Sequence, residues 1–258
     1  MTSAAADATG GRAGATGGAA PFGGAAHPGP PPAGAGTILF LRHGRTVFNA
    51  EGRLQGQVDI PLDVVGQWQA RTGAKALVQA HTPDLIVSSD LVRAWETAAA
   101  VRDAAPVDIV KDARLRERGF GIWEGFTGQE LAAQYPEEWV QWRRGVENEK
   151  VGAEPKHEAA ARVVEAVHEH AASVAAGGTL VVVSHGAAIT IAITELLGLD
   201  PEQWRGLGGL NNVHWSRVER NRRSPNPTWR LVGHNLGAGY PLDHWNAGPD
   251  WSLGQEPA

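Results

Sequence analysis

Apolar residues in this chain fall into short blocks separated by glycine, proline or charge. Residues 37–41 (Thr-Ile-Leu-Phe-Leu) and 180–183 (Leu-Val-Val-Val) are continuous apolar runs, the pattern of strands buried on both faces. Residues 84–88 read as a second buried strand, and 107–110 as a short third one. Helical stretches are predicted over 63–80, 91–104, 127–144, 156–176 and 186–197. Asp63 stands at the start of the first, and Ser89 or Asp90 is placed to cap the second. Pro136 interrupts the third, within which Trp139 and Trp142 read as packing residues. Gly177 and Gly178 end the fourth. Residues 47–62 look irregular, and the glycine-rich, charged stretch 115–125 reads as a loop over a site. Two late strands, around 212–220 and 228–234, flank a basic, proline-containing turn that reads as a solvated loop. Strands alternating with helices argue for one α/β domain.

The two ends differ from this pattern. Residues 1–36 are almost wholly Ala, Gly, Pro, Thr and Ser. Such a segment buries too little apolar surface to offset its ordering entropy, so disorder is expected. Its removal should then leave kinetics and melting temperature nearly unchanged. It lacks the basic start and continuous apolar core of a secretory signal. Residues 246–258 are expected to trail over the surface, which leaves 37–245 as the folded domain.

Composition adds exclusions. The formal net charge of -5 over 258 residues argues against a broad nucleic-acid-binding surface, but a local cationic pocket remains open. With no cysteine there can be no disulfide and no thiolate metal site. That suits a reducing compartment, and a cytoplasmic location is expected. No apolar run approaches the ~20 residues that cross a bilayer, so no membrane partner is expected. A homodimer is compatible with these features.

The chemistry sits where apolar runs stop. The first run ends in Arg42-His43-Gly44, and the run at 180–183 ends in Ser184-His185-Gly186. In a parallel sheet both imidazoles would lie at the carboxyl edge, where open α/β folds place ligands. Arg42 offers a planar fork of donors, a neutral His43 can attack phosphorus, and Gly44 lets the backbone approach a ligand closely. Arg93 follows the strand end at Ser88 and Ser89 by one helical turn and can point back to the same edge. Two histidines and two arginines converging there suit a tetrahedral dianion.

Four stretches resemble, in order, the signature blocks of the histidine phosphatase (phosphoglycerate mutase-like) superfamily. They are Leu41-Arg42-His43-Gly44-Arg45-Thr46, the run from Ser88 through Arg93 and Glu96 to Ala98, Leu115-x-Glu117 with Gly121-x-Trp123-Glu124-Gly125, and Val183-Ser184-His185-Gly186. They cover the chain from about residue 37 to 199. The resemblance implies a three-layer α/β/α sandwich with a largely parallel central sheet, and two-step hydrolysis through a phosphohistidine. Carried over by position, it makes His43 the nucleophile, with its far ring nitrogen held by a backbone carbonyl. Arg42, Arg93 and His185 would bind the phosphoryl oxygens, and the guanidinium groups should lower the His43 pKa. Glu117 matches the proton donor and later base, whereas Glu124 reads as a loop-fixing carboxylate. Asn49 and Gln55 match pocket positions that add donors, and Arg45 and Gly186 complete the implied substrate-binding set. Arginines would carry the charge work, so neither a metal nor a cofactor is expected. The implied partner is a small phosphorylated metabolite.

The gap from Glu117 to His185 lacks the longer insertion of the mutases, which favours hydrolysis. The run Arg53-Leu54-Gln55-Gly56-Gln57-Val58-Asp59, with Trp204, Gly208-Gly209-Leu210, Asn212, Trp215 and Trp229-Arg230-Leu231, is similar to that of actinobacterial glucosyl-3-phosphoglycerate phosphatases. One departure stands out. Where many of that group carry Gly-Gly-Glu-Ser before the long helix, this chain reads Gly152-Ala153-Glu154-Pro155, without the serine's substrate contact or cap. A cofactor-dependent phosphoglycerate mutase and a non-catalytic phospho-ligand binding protein are the alternatives. A Rossmann-type nucleotide site finds no Gly-x-Gly-x-x-Gly loop after residue 183.

Overall fold

Six strands join in one sheet in a computed structural model that describes residues 33–147, 149–223 and 226–249. They are β1 (Thr37–Arg42), β2 (Leu85–Ser88), β3 (Ile109–Lys111), β4 (Thr179–Ser184), β5 (Trp215–Arg220) and β6 (Trp229–Leu236), in the spatial order β3-β2-β4-β1-β5-β6. The first four run parallel, and β5 and β6 extend the sheet as an antiparallel hairpin. The sheet is largely parallel, as expected.

Side-chain alternation on the central strands creates two cores. Ile38 and Phe40 of β1, with Leu180 and Val182 of β4, enter one; Leu39, Leu41, Val181 and Val183 enter the other. Both faces are apolar, which is why these runs are continuous in sequence. Helices α1 (Val47–Glu51), α2 (Val64–Ala80), α3 (Val92–Ala104), α4 (Gly128–Gln134), α5 (Pro136–Arg144), α6 (Lys156–Ser173), α7 (Gly186–Leu196) and α8 (Leu242–Ala247) follow in chain order. α2 and α3 cover the second core through Val65, Trp68, Leu77, Ala94 and Val101. α6 and α7 cover the first through Val163, Val167, Ile189 and Ile193. A third cluster packs Trp139 and Trp142 of α5 against Trp123, with ring centroids 5.9 and 5.4 Å away.

Two helices were not legible in the apolar pattern. α1 lies within the stretch expected to be irregular and is set by a capping box between Thr46 and Asn49. Five residues offer too little length for an apolar period. α8 carries the fold past residue 245 to Ala247 and buries Trp245 against Trp68, with centroids 5.0 Å apart. The expectation for residues 250–258 lies outside the described residues.

The N-terminal boundary also moves. Residues 1–32 lie outside the described residues, but residues 33–36 belong to the folded domain. Ala35 is fully buried, its N–H donates to Ala171 O at 2.7 Å, and Gly36 N–H donates to Gly178 O at 2.8 Å. Gly34 O and Gly36 O also accept from Gly177 and Arg220 N–H at 3.0 and 2.9 Å, so removing residues 1–36 should cost about 5 kcal/mol from four main-chain hydrogen bonds and a buried methyl. Removing 1–32 should spare these contacts. Urea unfolding of the two truncations will show the difference.

Candidate active site

Pairing brings the strand ends into one place. Arg42 lies opposite Ser184 and Ser88 opposite Val183. The ladder then continues one residue further, with His43 N–H donating to Ser184 O at 3.0 Å and Ser89 N–H to Val183 O at 2.9 Å. Asn212 Nδ2 donates to His43 O at 3.0 Å. Gly44 also meets a packing constraint that the sequence did not show. A Cβ there would stand 2.6 Å from Gly66 O, so the close approach it permits is to the first turn of α2.

The His43 and His185 rings lie 5.1 Å apart, centroid to centroid. His43 Nδ1 faces Gly44 O at 2.7 Å; the carbonyl can only accept, so the proton is on Nδ1 and Nε2 keeps its lone pair. His185 Nε2 lies 2.9 Å from Ser89 Oγ. That oxygen accepts from Leu91 N–H at 3.3 Å, and among the described residues the buried hydroxyl has no acceptor for its own proton other than Nε2. The pairing assigns the His185 proton to Nδ1. Ser89 and Asp90, expected to cap α3, do not: its N-cap is Leu91 with no side-chain bond, Val92 N–H goes to Asp59 Oδ1, and Ser89 instead sets the tautomer of a site residue.

This edge is buried. His43 is 2% exposed, and Arg93 and His185 are at 0%. Both imidazoles are held well below the usual histidine range, by burial first and by the Arg93 and Arg42 charges after it. Sequence reading had credited the guanidinium groups alone. The arginines are themselves pulled down by burial, Arg93 to about 10, with Glu117 opposing that fall at both. Arg93 Nη1 and Nη2 donate to Val58 O and Gly56 O, each at 2.8 Å, and Arg42 Nη1 donates to Leu210 O. Arg42 Nε, Arg93 Nε and His185 Nδ1 are buried and have no protein partner. The Arg42 and Arg93 charges both act on His185, so three orphaned nitrogens come together here.

Glu117 lies in a loop beside α7. Its Oε1 accepts from Arg118 N–H at 2.9 Å and Ala188 N–H at 2.8 Å, and its Oε2 from Ala187 N–H at 3.2 Å. The free N–H groups of the first turn of α7 thus hold the carboxyl in place. A Cβ on Gly186 would stand 3.5 Å from Arg42 Nε and 3.9 Å from Glu117 Oε2, so Gly186 lies between acid and guanidinium. Glu124 does something else. Its Oε1 accepts from Phe120 N–H at 2.9 Å and Gln57 N–H at 3.2 Å, and it fills the space beside Gly56 (φ +52°) where a Cβ would meet it at 1.9 Å.

The remaining expected residues divide. Gln55 is buried, and its Oε1 accepts from Thr46 Oγ1 at 2.9 Å, which leaves its amide nitrogen as a donor. Asn49 Oδ1 accepts from Thr46 N–H and Asn212 Nδ2, each at 3.2 Å. Its oxygen serves the cap of α1. Arg45 is committed elsewhere, with Nε donating to Asp63 Oδ2 at 2.8 Å and Nη1 to Asn246 O at 2.6 Å. Those partners belong to the start of α2 and to α8. Pro155, at the residue in place of the missing serine, caps α6 with no side-chain bond. Glu202 supplies a substitute from another segment, its Oε1 accepting from His157 N–H at 3.1 Å. Among the described residues no group of three or more His, Asp or Glu could hold a metal ion.

Two buried neutral imidazoles make stability pH-dependent. Both take up protons in the unfolded chain near pH 6.5 but not in the folded one. Stability is therefore fully present above about pH 6.5 and falls as pH drops below it, by about 1.4 kcal/mol per pH unit for each group. His43→Ala should remove one such share of the slope. Urea unfolding of wild type and variant between pH 7.5 and 5.5 checks this.

The profile of the histidine phosphatase superfamily (branch 1) matches residues 38–235. The chain is 36% identical over 225 residues to the glucosyl-3-phosphoglycerate phosphatase of Mycolicibacterium vanbaalenii, covering 81% of this chain and 94% of that protein. It is 37% identical over 186 residues to a probable phosphoglycerate mutase GpmB of Yersinia enterocolitica, covering 70% and 84%. The solved structure of mycobacterial glucosyl-3-phosphoglycerate phosphatase Rv2419c with VO3 superposes with a TM-score of 0.71 at 33% identity. It covers 79% of this chain and all of that one.

Proposed function

This chain belongs to the histidine phosphatase superfamily and is a phosphatase acting on a phosphorylated metabolite, and we propose that it works through a phosphohistidine on His43. One observation carries the proposal: Arg42 Nε, Arg93 Nε and His185 Nδ1 are buried donors without protein partners, gathered beside an imidazole whose Nε2 lone pair is free. Phosphoryl oxygens satisfy such donors and spread their charge onto them. His43 Nε2 attacks phosphorus, the ester P–O bond breaks, and the leaving alkoxide takes the proton of the Glu117 carboxyl. Water then attacks the phosphohistidine and gives its proton to Glu117, the N–P bond breaks, and phosphate leaves. Gln55 adds its amide donor to the phosphate. Asn49 stays in the set through its amide nitrogen, and Arg45 acts from further out by holding the start of α2. The two arginines meet the oxyanion charge, so the reading needs neither metal nor cofactor. The reaction belongs in the cytoplasm, which a cysteine-free chain suits.

The substrate proposed is glucosyl-3-phosphoglycerate. The mycobacterial relatives that bear that activity in their names support it, together with the work done by the run 53–59. Gly56 and Val58 carbonyls hold Arg93, Gln57 reaches Glu117 O at 3.2 Å, and Asp59 Oδ1 accepts Val92 N–H at 2.7 Å to open α3. Hydrolysis rates over glucosyl-3-phosphoglycerate, 3-phosphoglycerate, sugar phosphates and nucleotides test this directly. Glucosyl-3-phosphoglycerate should show the highest kcat/KM. A preference for another ester overturns the substrate, and interconversion of phosphoglycerates stimulated by bisphosphoglycerate would make the enzyme a mutase.

A further inference from the structure

Arg162 on α6 uses all five of its N–H donors. Nε donates to Glu154 Oε1 at 2.6 Å, and Nη2 to Glu154 Oε2 at 2.8 Å and Glu117 O at 3.0 Å. Nη1 donates to Arg114 O and Arg116 O, each at 2.7 Å. A guanidinium has five such hydrogens in a rigid plane, so this environment saturates it. Glu154 is anchored in turn. Its Oε2 accepts from Gly119 N–H at 3.0 Å, its own N–H donates to Gly119 O at 2.9 Å, and Arg118 Nε donates to its carbonyl at 2.6 Å.

The pair brackets residues 114–119, the segment that carries Glu117. Past a single 3-10 turn (Ala113–Leu115) that segment has no helix or strand to hold it. Three of its carbonyls, those of Arg114, Arg116 and Glu117, point instead at the Arg162 side chain, while Leu115 O accepts from Ser184 Oγ at 2.8 Å. Gln57 Nε2 adds a second donor to Glu117 O. The Glu117 carboxyl reaches the first turn of α7 only if its own main chain stays at this distance. Arg162 belongs neither to the phosphate-facing donors nor to the expected site residues. Its charge does help to hold His185 neutral from behind.

We propose that Arg162, gripped by Glu154, is a positioning residue that fixes Glu117 for proton transfer to and from the reacting oxygen. The proposal rests on the reading of Glu117 as the acid. Lysine keeps the charge but has three donors on a point cation, and cannot reproduce a planar set of five. A displacement of about 1 Å in a catalytic group costs about 10²-fold, and here it would fall on the step that needs the acid.

The test compares R162K, the milder E154Q and E117Q in rapid-quench phosphorylation by glycerol 3-phosphate and by nitrophenyl phosphate, with melting curves for each. R162K should slow phosphorylation by the alkyl ester about 10- to 100-fold and by the aryl ester only a few-fold. E154Q should lean the same way more weakly, and E117Q more strongly. Equal losses on both esters in R162K, with E117Q selective, would make Arg162 merely structural and overturn the proposal. If R162K does not fold, E154Q decides by the same criterion. An unselective E117Q removes the acid reading and this proposal with it.

Discussion

His43→Ala should abolish turnover, on the order of the 10⁶-fold loss seen when an enzymatic nucleophile is removed, while the protein stays folded. No other group in the site can form the bond to phosphorus with the same free lone pair. His185, whose ring is 5.1 Å away, has its Nε2 engaged by Ser89. The main chain at residue 43 is secured independently of the side chain, through Ser184 O and Asn212 Nδ2. What the substitution removes is one bond to Gly44 O and an imidazole whose burial favours its neutral form. Its stability cost should be about 1–3 kcal/mol, well short of unfolding a domain of this size. Brief incubation with a radioactive phosphomonoester should leave an acid-labile, base-stable label on the wild type and none on the variant. Label that survives in His43→Ala but vanishes in His185→Ala would move the nucleophile to the second histidine.

Much of this site could be read from the chain because its parts are local. Arg42-His43-Gly44 and Ser184-His185-Gly186 each follow an apolar run, and parallel pairing with matched register places both imidazoles at one edge. Arg93 needs only one helical turn to return there. Contacts between distant segments left no such pattern. Burial of His43 arises only in the folded chain, so desolvation as the chief cause of its neutrality could not be counted from neighbouring residues. The packing constraint at Gly44 was hidden for a related reason, since Gly66 lies on another element. Glu202 replaces a lost serine cap from across the fold, and Arg162 grips carbonyls, which every residue possesses. A side-chain pattern cannot announce a partner that is main chain.

Glu117→Gln should separate leaving groups. A sugar or glycerate alkoxide needs a proton as the P–O bond breaks, whereas nitrophenolate leaves without much help. General acid catalysis contributes ~10²–10⁴-fold, and a loss of that size is expected for phosphorylation by an alkyl ester. Nitrophenyl phosphate should retain far more of its rate. The amide oxygen can still accept from Arg118 and Ala188 N–H, so the loop should keep its place. Because water attack on the phosphohistidine also uses Glu117, steady-state rates would mix both steps. The comparison belongs in the phosphorylation burst. Glu124→Gln is the control, since that carboxylate ties Phe120 and Gln57 N–H together and clamps the loop that holds Arg93. Loosening the loop should lower both bursts alike, because phosphate binding precedes either leaving group. Equal loss in Glu117→Gln with selective loss in Glu124→Gln would exchange the two roles.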